Sequence, residues 1–210
     1  LERASEANDL VSAAAAPYVL RESAALLFRM DRPREAGRRF LRLAGLPGEP
    51  NQAYQAALNA AISFYNAYDA ASRAKTLSAD LQDELLAALD ALTLQWADRP
   101  DTGPWFFVLG KVCAEKAQSF AEHTPERAKM LRRSIEALER TPANLPESPD
   151  ARFRALEVRL RLLREDPKAA DARAQAQALL ARMKAFAQDA RAALAGAKDK
   201  DQIDRWTDYG

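Results

Sequence analysis

Three features of the sequence predict an all-α fold of paired antiparallel helices. The chain is 48% hydrophobic over 210 residues, and much of that content is Ala and Leu, the strongest helix formers. Apolar residues recur at spacings of three and four along most of the chain, the period of one helix face. Short breaks carrying Pro or Gly separate these stretches, and short loops make consecutive helices antiparallel neighbours. Val and Ile are sparse, so long strands have little to be built from.

The elements follow in order. Segment 17–30 aligns Leu20, Ala24 and Leu27 on one face. Asp31-Arg32-Pro33 breaks it, and Pro33 suits the first turn of the next helix, which carries Ala36, Phe40 and Leu43. Gly45-Leu46-Pro47-Gly48 is a stop signal. A helix over 51–67 puts Tyr54, Leu58, Ala61 and Tyr65 in register, and a turn near Tyr68-Asp69 leads into 69–77. Ser78 or Asp80 caps a helix reaching about Trp96, faced by Leu81, Leu85, Leu89 and Leu92. A loop at 99–104 precedes a helix over 104–122 with Phe106, Leu109, Cys113, Ala117 and Phe120. Thr124 then caps a helix over 125–140 that opens on Pro125 and is faced by Ala128, Leu131, Ile135 and Leu138.

Pro142, Pro146 and Pro149 make 141–149 a linker. It divides helical repeats in 1–140 from a C-terminal helical pair and tail in 150–210. Helix 150–165 presents Phe153, Leu156, Leu160 and Leu163. After Asp166-Pro167, an Ala-rich helix aligns Ala176, Leu180, Met183, Ala187 and Ala190, with Gly196 as its C-cap. Ile203, Trp206 and Tyr209 suggest a short amphipathic tail.

Composition narrows function. Lys and Arg number 31 and Asp and Glu 30, so the net charge of +1 gives no global attraction to nucleic acid or to anionic membrane. No run of 18 strongly apolar residues predicts a membrane span. Cys113 is the single cysteine and His123 the single histidine, so no intrachain disulfide and no Cys-based metal site is expected. The first residue is Leu1, which leads to the expectation of a segment cut from a longer protein. Neither a phosphate-binding glycine loop nor a dinucleotide fingerprint occurs. Cys113 and His123 are ten residues apart, about 15 Å of helical rise. Cys113 therefore reads as a small buried hydrophobe and His123 as a surface or capping residue. Asp80, Asp83 and Glu84 read as acidic residues favoured in a first helical turn. No catalytic residue, cofactor or metal is expected, and the chain reads as a binding protein that is not an enzyme.

A register of 34 residues maps Ala36 onto Ala70 and Leu43 onto Leu77. Ala24 and Ala36 supply small residues where two helices would touch, Phe40 and Leu43 pack from the second helix, and Pro47 follows it. Phe106-x2-Leu109-Gly110 makes a partial second match, with Ala137, Leu138 and Pro142 ending its second helix. On these residues the chain resembles the tetratricopeptide repeat family over 17–48, less closely over 51–78, and in part over 104–142. Leu58 is large where that family has a small residue. The resemblance implies a stacked α-solenoid and protein–protein recognition along a concave face lined by first helices. Similar Ala/Arg/Leu-rich arrays serve as periplasmic scaffolds in bacterial export machines, including exopolysaccharide secretion in biofilms. That resemblance favours a periplasmic over a cytoplasmic location.

Two features point to a recognition surface. Residues 51–68 contain no charge in a chain that is 29% charged. Gln52, Gln55, Asn59, Ser63 and Asn66 recur at three and four along it, forming one stripe flanked by Tyr54, Phe64, Tyr65 and Tyr68. Carboxamides donate and accept hydrogen bonds, so they suit a peptide backbone or sugar hydroxyls. An equally physical alternative is a helix walled in by its neighbours. The second feature is a set of arginine clusters, one including Arg38 and Arg42. These read as solvated helix faces with partial pairing or as a dock for an acidic partner. The expected partner-binding set is Gln55, Asn59, Asn66, Tyr65, Tyr68, Arg38 and Arg42, contacting another protein. Small-ligand or glycan sensing, and simple spacing of other domains, are the alternatives.

Overall fold

The computed structural model describes residues 2–165 and 171–196, with side chains from residue 15 onward. Every regular element among them is helical. The α-helices are α1 (Glu2–Arg29), α2 (Pro33–Ala44), α3 (Pro50–Arg73), α4 (Ala79–Gln95), α5 (Gly103–Ala117), α6 (Pro125–Glu139), α7 (Ser148–Glu165) and α8 (Ala172–Gly196), with one 3-10 turn over Pro100–Thr102. The tail at 203–209 and the break at Asp166-Pro167 lie outside the described residues.

Local chemistry explains most boundaries. Ser78 Oγ accepts from the Leu81 amide at 3.3 Å, and Thr124 Oγ1 from the Arg127 amide at 3.4 Å, satisfying donors that helix starts leave orphaned. Pro33, Pro50 and Pro125 occupy first-turn positions where no intrahelical amide is needed. Helix ends are less orthodox. Asp31 and Lys75 take left-handed backbone conformations, with φ of 56° and 57°. Each closes its helix with paired reverse bonds, Asp31 to Phe28 and Arg32 to Leu27, Lys75 to Ser72 and Thr76 to Ala71. Glycine usually fills such positions.

The chain forms two compact units, Leu1–Thr102 and Gly103–Gly210. The division falls at 102/103 and not at 141–149. In the second unit α6 packs on α7 across those prolines, so the linker is a tight corner within one core. The predicted turn at Tyr68-Asp69 is absent, because nothing there breaks helical geometry and α3 continues to Arg73. α5 stops at Ala117, short of residue 122.

In the first unit, α2 packs on α1 and α3, and α3 on α4. Ala24, Ala36, Phe40, Ala57, Ala60, Ala61, Phe64, Leu85, Leu89 and Leu92 are buried. Gly37 admits Phe64: a Cβ there would lie 2.9 Å from its ring. In the second unit, Leu131, Ile135 and Leu138 of α6 meet Ala117 of α5 and Ala151, Ala155 and Val158 of α7. The predicted faces of α7 and α8 are displaced. Ala151, Ala155 and Val158 are buried in α7 while Leu160 is exposed. Leu179, Phe186 and Ala190 are buried in α8 while Leu180 and Met183 are exposed. α8 packs on α7, and one narrow stripe suffices for that contact.

Candidate functional site

The first unit holds a cavity of about 420 Å³ on one flank of α3. Asn51, Gln52, Gln55, Ala56 and Asn59 of α3 form one wall, and Pro17, Tyr18 and Arg21 of α1 the other. Phe40 and Leu43 of α2 complete the lining. The wall is polar because the amides recur at three and four along a charge-free helix. It stays open because the buried face of α3 lies elsewhere, through Ala57, Ala60, Ala61 and Phe64. Tyr18 is 62% exposed. Arg21 sits 5.6 Å from the centre of the Tyr18 ring, with its Nε 3.2 Å from Glu22 Oε1. The site thus offers carboxamides, an apolar Phe40–Leu43 surface, one aromatic face and one cation.

The amide stripe is not uniform. Gln55 is exposed and Asn59 half-buried, and both line the cavity. Ser63 belongs to the core: it is 1% exposed, and its Oγ has no hydrogen-bond partner among the described residues. Asn66 is exposed, two turns beyond Asn59 and outside the cavity lining. Tyr68 is buried and Tyr65 half-buried, their rings nearly parallel with centroids 6.5 Å apart. This tyrosine pair does not border the cavity.

Arg38 is committed elsewhere. Glu84 of α4 accepts from Arg34 Nε at 2.6 Å and from Arg38 Nε at 2.8 Å, so one carboxylate ties two arginines of α2 to α4. Burial pushes the Glu84 carboxyl up, but hydrogen bonds from both guanidinia, reinforced by their charges, outweigh it and hold the group below its ordinary value. Arg39 donates to Ser23 of α1 at 2.7 Å. Arg42 is exposed. Neither Arg38 nor Arg42 lines the cavity. Glu84 is therefore a tie between helices more than a first-turn acid.

In the second unit a charged cavity of about 220 Å³ lies between α5 and α7, lined by Lys111, Glu115, Gln118, Arg154, Glu157 and Arg161 among others. Burial raises the Glu115 carboxyl although the residue as a whole is exposed, and Arg154 pulls it partly back. Cys113 is buried, whereas His123 is exposed at φ 63°. The His123 amide donates to Glu165 Oε2 at 2.6 Å, and its Nδ1 lies 2.7 Å from the Glu165 carbonyl oxygen. Arg127 forms an ion pair with the other Glu165 carboxylate oxygen, Nε to Oε1 2.6 Å. His123 thus pins the end of α7. No group of three His, Cys, Asp or Glu among the described residues is placed to hold a metal ion, and no helix among them is long and apolar enough to cross a membrane.

The residues that the sequence reading missed are Tyr18 and Arg21. Their separation of three on a helix, off the Leu20–Ala24–Leu27 face, was the available signal. The chain matches no protein-family model, no curated protein and no solved structure.

Proposed function

We propose that the chain is a protein-interaction scaffold that binds an extended peptide segment in the α1–α3 groove. The carrying observation is the wall of Asn51, Gln52, Gln55 and Asn59 facing Tyr18 and Arg21 across about 420 Å³. Carboxamides can pair with both the donors and the acceptors of an extended main chain. The Phe40–Leu43 surface supplies apolar burial for alternate side chains, the usual division between affinity and specificity in peptide grooves. A tetratricopeptide-like stacking would make α1 and α3 first helices, the members that face a ligand in such arrays. On that resemblance the scaffold belongs to a bacterial envelope assembly exporting polysaccharide, with a periplasmic location.

A displayed library of random peptides, selected on the intact chain, tests the reading. Selected peptides should lose at least tenfold in affinity for Gln55→Ala plus Asn59→Ala while the melting temperature holds. Failure to enrich any peptide, or enrichment insensitive to both changes, would overturn it. Glycan recognition is the second reading, favoured by the exposed Tyr18 ring beside the amides, since aromatic faces with polar neighbours suit sugars. Binding of neutral oligosaccharides that is lost with Tyr18→Ala would select it over the peptide.

A further inference from the structure

The second unit contains a separate cavity of about 460 Å³, bordered by the end of α6, residues 141–148, α7 and α8. Its lining combines apolar Leu156 and Phe186 with three arginines, Arg152, Arg159 and Arg182. Among the described residues two carboxylates answer these three cations. Asp189 pairs with Arg152 at 2.6 Å. A single oxygen of Glu139 accepts from both Arg159, at 2.6 Å, and Arg182, at 2.8 Å. Counted over the described residues, the cluster therefore keeps one positive charge in excess. Donors are also in excess: Arg159 Nε and the Oγ1 of Thr141, which lines the same cavity and is 8% exposed, are buried with no hydrogen-bond partner among the described residues. Buried donors left unpaired are costly, and where two of them border one cavity, a ligand, ion or water that accepts from them is a physical account of both.

We infer that this cavity binds a small amphiphilic carboxylate, with its apolar body against Phe186 and Leu156 and its head at Arg159 and Arg182. A cavity of this size suits a small organic molecule. One excess charge matches a monoanion better than a phosphate dianion. A planar guanidinium with an unused Nε–H offers the fork that carboxylates accept. The Phe186 ring is already covered on one side by Arg152, 5.3 Å from its centre, so the aromatic wall and the cationic wall are continuous.

The test titrates the full chain with 4-phenylbutyrate, with 4-phenylbutanol as the neutral counterpart of equal apolar length, and with inorganic phosphate. The carboxylate should bind at least tenfold more tightly than the alcohol and should move the Arg159 Nε–H resonance. Phosphate alone should neither bind there nor displace it. Arg182→Gln, at a side chain that is 56% exposed, should weaken the carboxylate at least tenfold and leave the alcohol unchanged, and Arg173→Gln on the same helix should change neither. Equal binding of acid and alcohol, displacement by phosphate, an unmoved Arg159 resonance, or full affinity in a folded Arg182→Gln variant would each overturn the assignment.

Discussion

Ser134 Oγ donates a 2.7 Å hydrogen bond to the Gly110 carbonyl across the α5–α6 crossing, and the crossing is that close because Gly110 has no Cβ. A Cβ there would lie 2.4 Å from Leu138 Cγ and 3.2 Å from the Ser134 carbonyl oxygen. Gly110→Ala should therefore destabilise the chain by about 2 kcal/mol, overpacking outweighing the roughly 1 kcal/mol that alanine gains in a helix interior. Ser134→Ala should cost about 1 kcal/mol. Urea unfolding curves check both, and a neutral Gly110→Ala would refute the close approach.

Lys75 ends α3 at φ 57°. A side chain in that region is strained by roughly 1–2 kcal/mol, and glycine removes the strain while adding unfolded-state freedom. Lys75→Gly should raise stability by about 0.5–1 kcal/mol, seen as a higher melting temperature. An unchanged or lower midpoint would show that the cap is relaxed as it stands.

Glu84 gives a pH prediction. Its carboxyl is held below the ordinary 4.5 in the folded chain, so its contribution is complete above that value and is lost as pH falls through the lowered one. Glu84→Gln should cost about 1 kcal/mol at neutral pH, the scale of a partly exposed ion-pair network. The gap between the two proteins should close on acidification below 4.5. A gap that persists in acid would mean that Glu84 acts by packing and not by charge.

The amide stripe separates into members with different readouts. Ser63 buries a hydroxyl that has no hydrogen-bond partner among the described residues, so Ser63→Ala should be neutral or stabilising by up to about 1 kcal/mol. Asn59→Ala and Asn66→Ala should leave the melting temperature within about 0.5 kcal/mol equivalent, the usual span for surface changes. Thermal melts of the three variants decide the matter. A large loss at Asn59 would make it a structural residue.

What the sequence revealed, and what it hid, follows from the range of the interactions involved. Ser78, Thr124, Pro33 and Pro125 act on their own helix starts, and their positions were readable because capping is local. The stretch without charge was also readable, and it led to Gln55 and Asn59. The tie at Glu84 is not legible in the sequence because its partners, Arg34 and Arg38, are 50 and 46 residues away, beyond any periodicity. Tyr68 flanks the amide stripe in sequence yet is buried, because aromatic residues beside polar ones look alike whether stacked inward or outward. The faces of α7 and α8 shifted because Ala, Leu and Met offer several apolar stripes, and only the neighbouring helix selects one. At Lys75 the helix end carries no glycine, so the usual stop signal was missing.

The run without charge from Asn51 to Tyr68 also bears on timing. A groove whose long wall bears no ionised group, and whose lining holds Arg21 as its one cation among the described residues, projects little field beyond its rim. An incoming segment would collide with it unsteered, at the roughly 10⁵–10⁶ M⁻¹s⁻¹ of neutral encounters. Added salt would scarcely alter that rate. Selection among competing segments would then rest on how long each one stays.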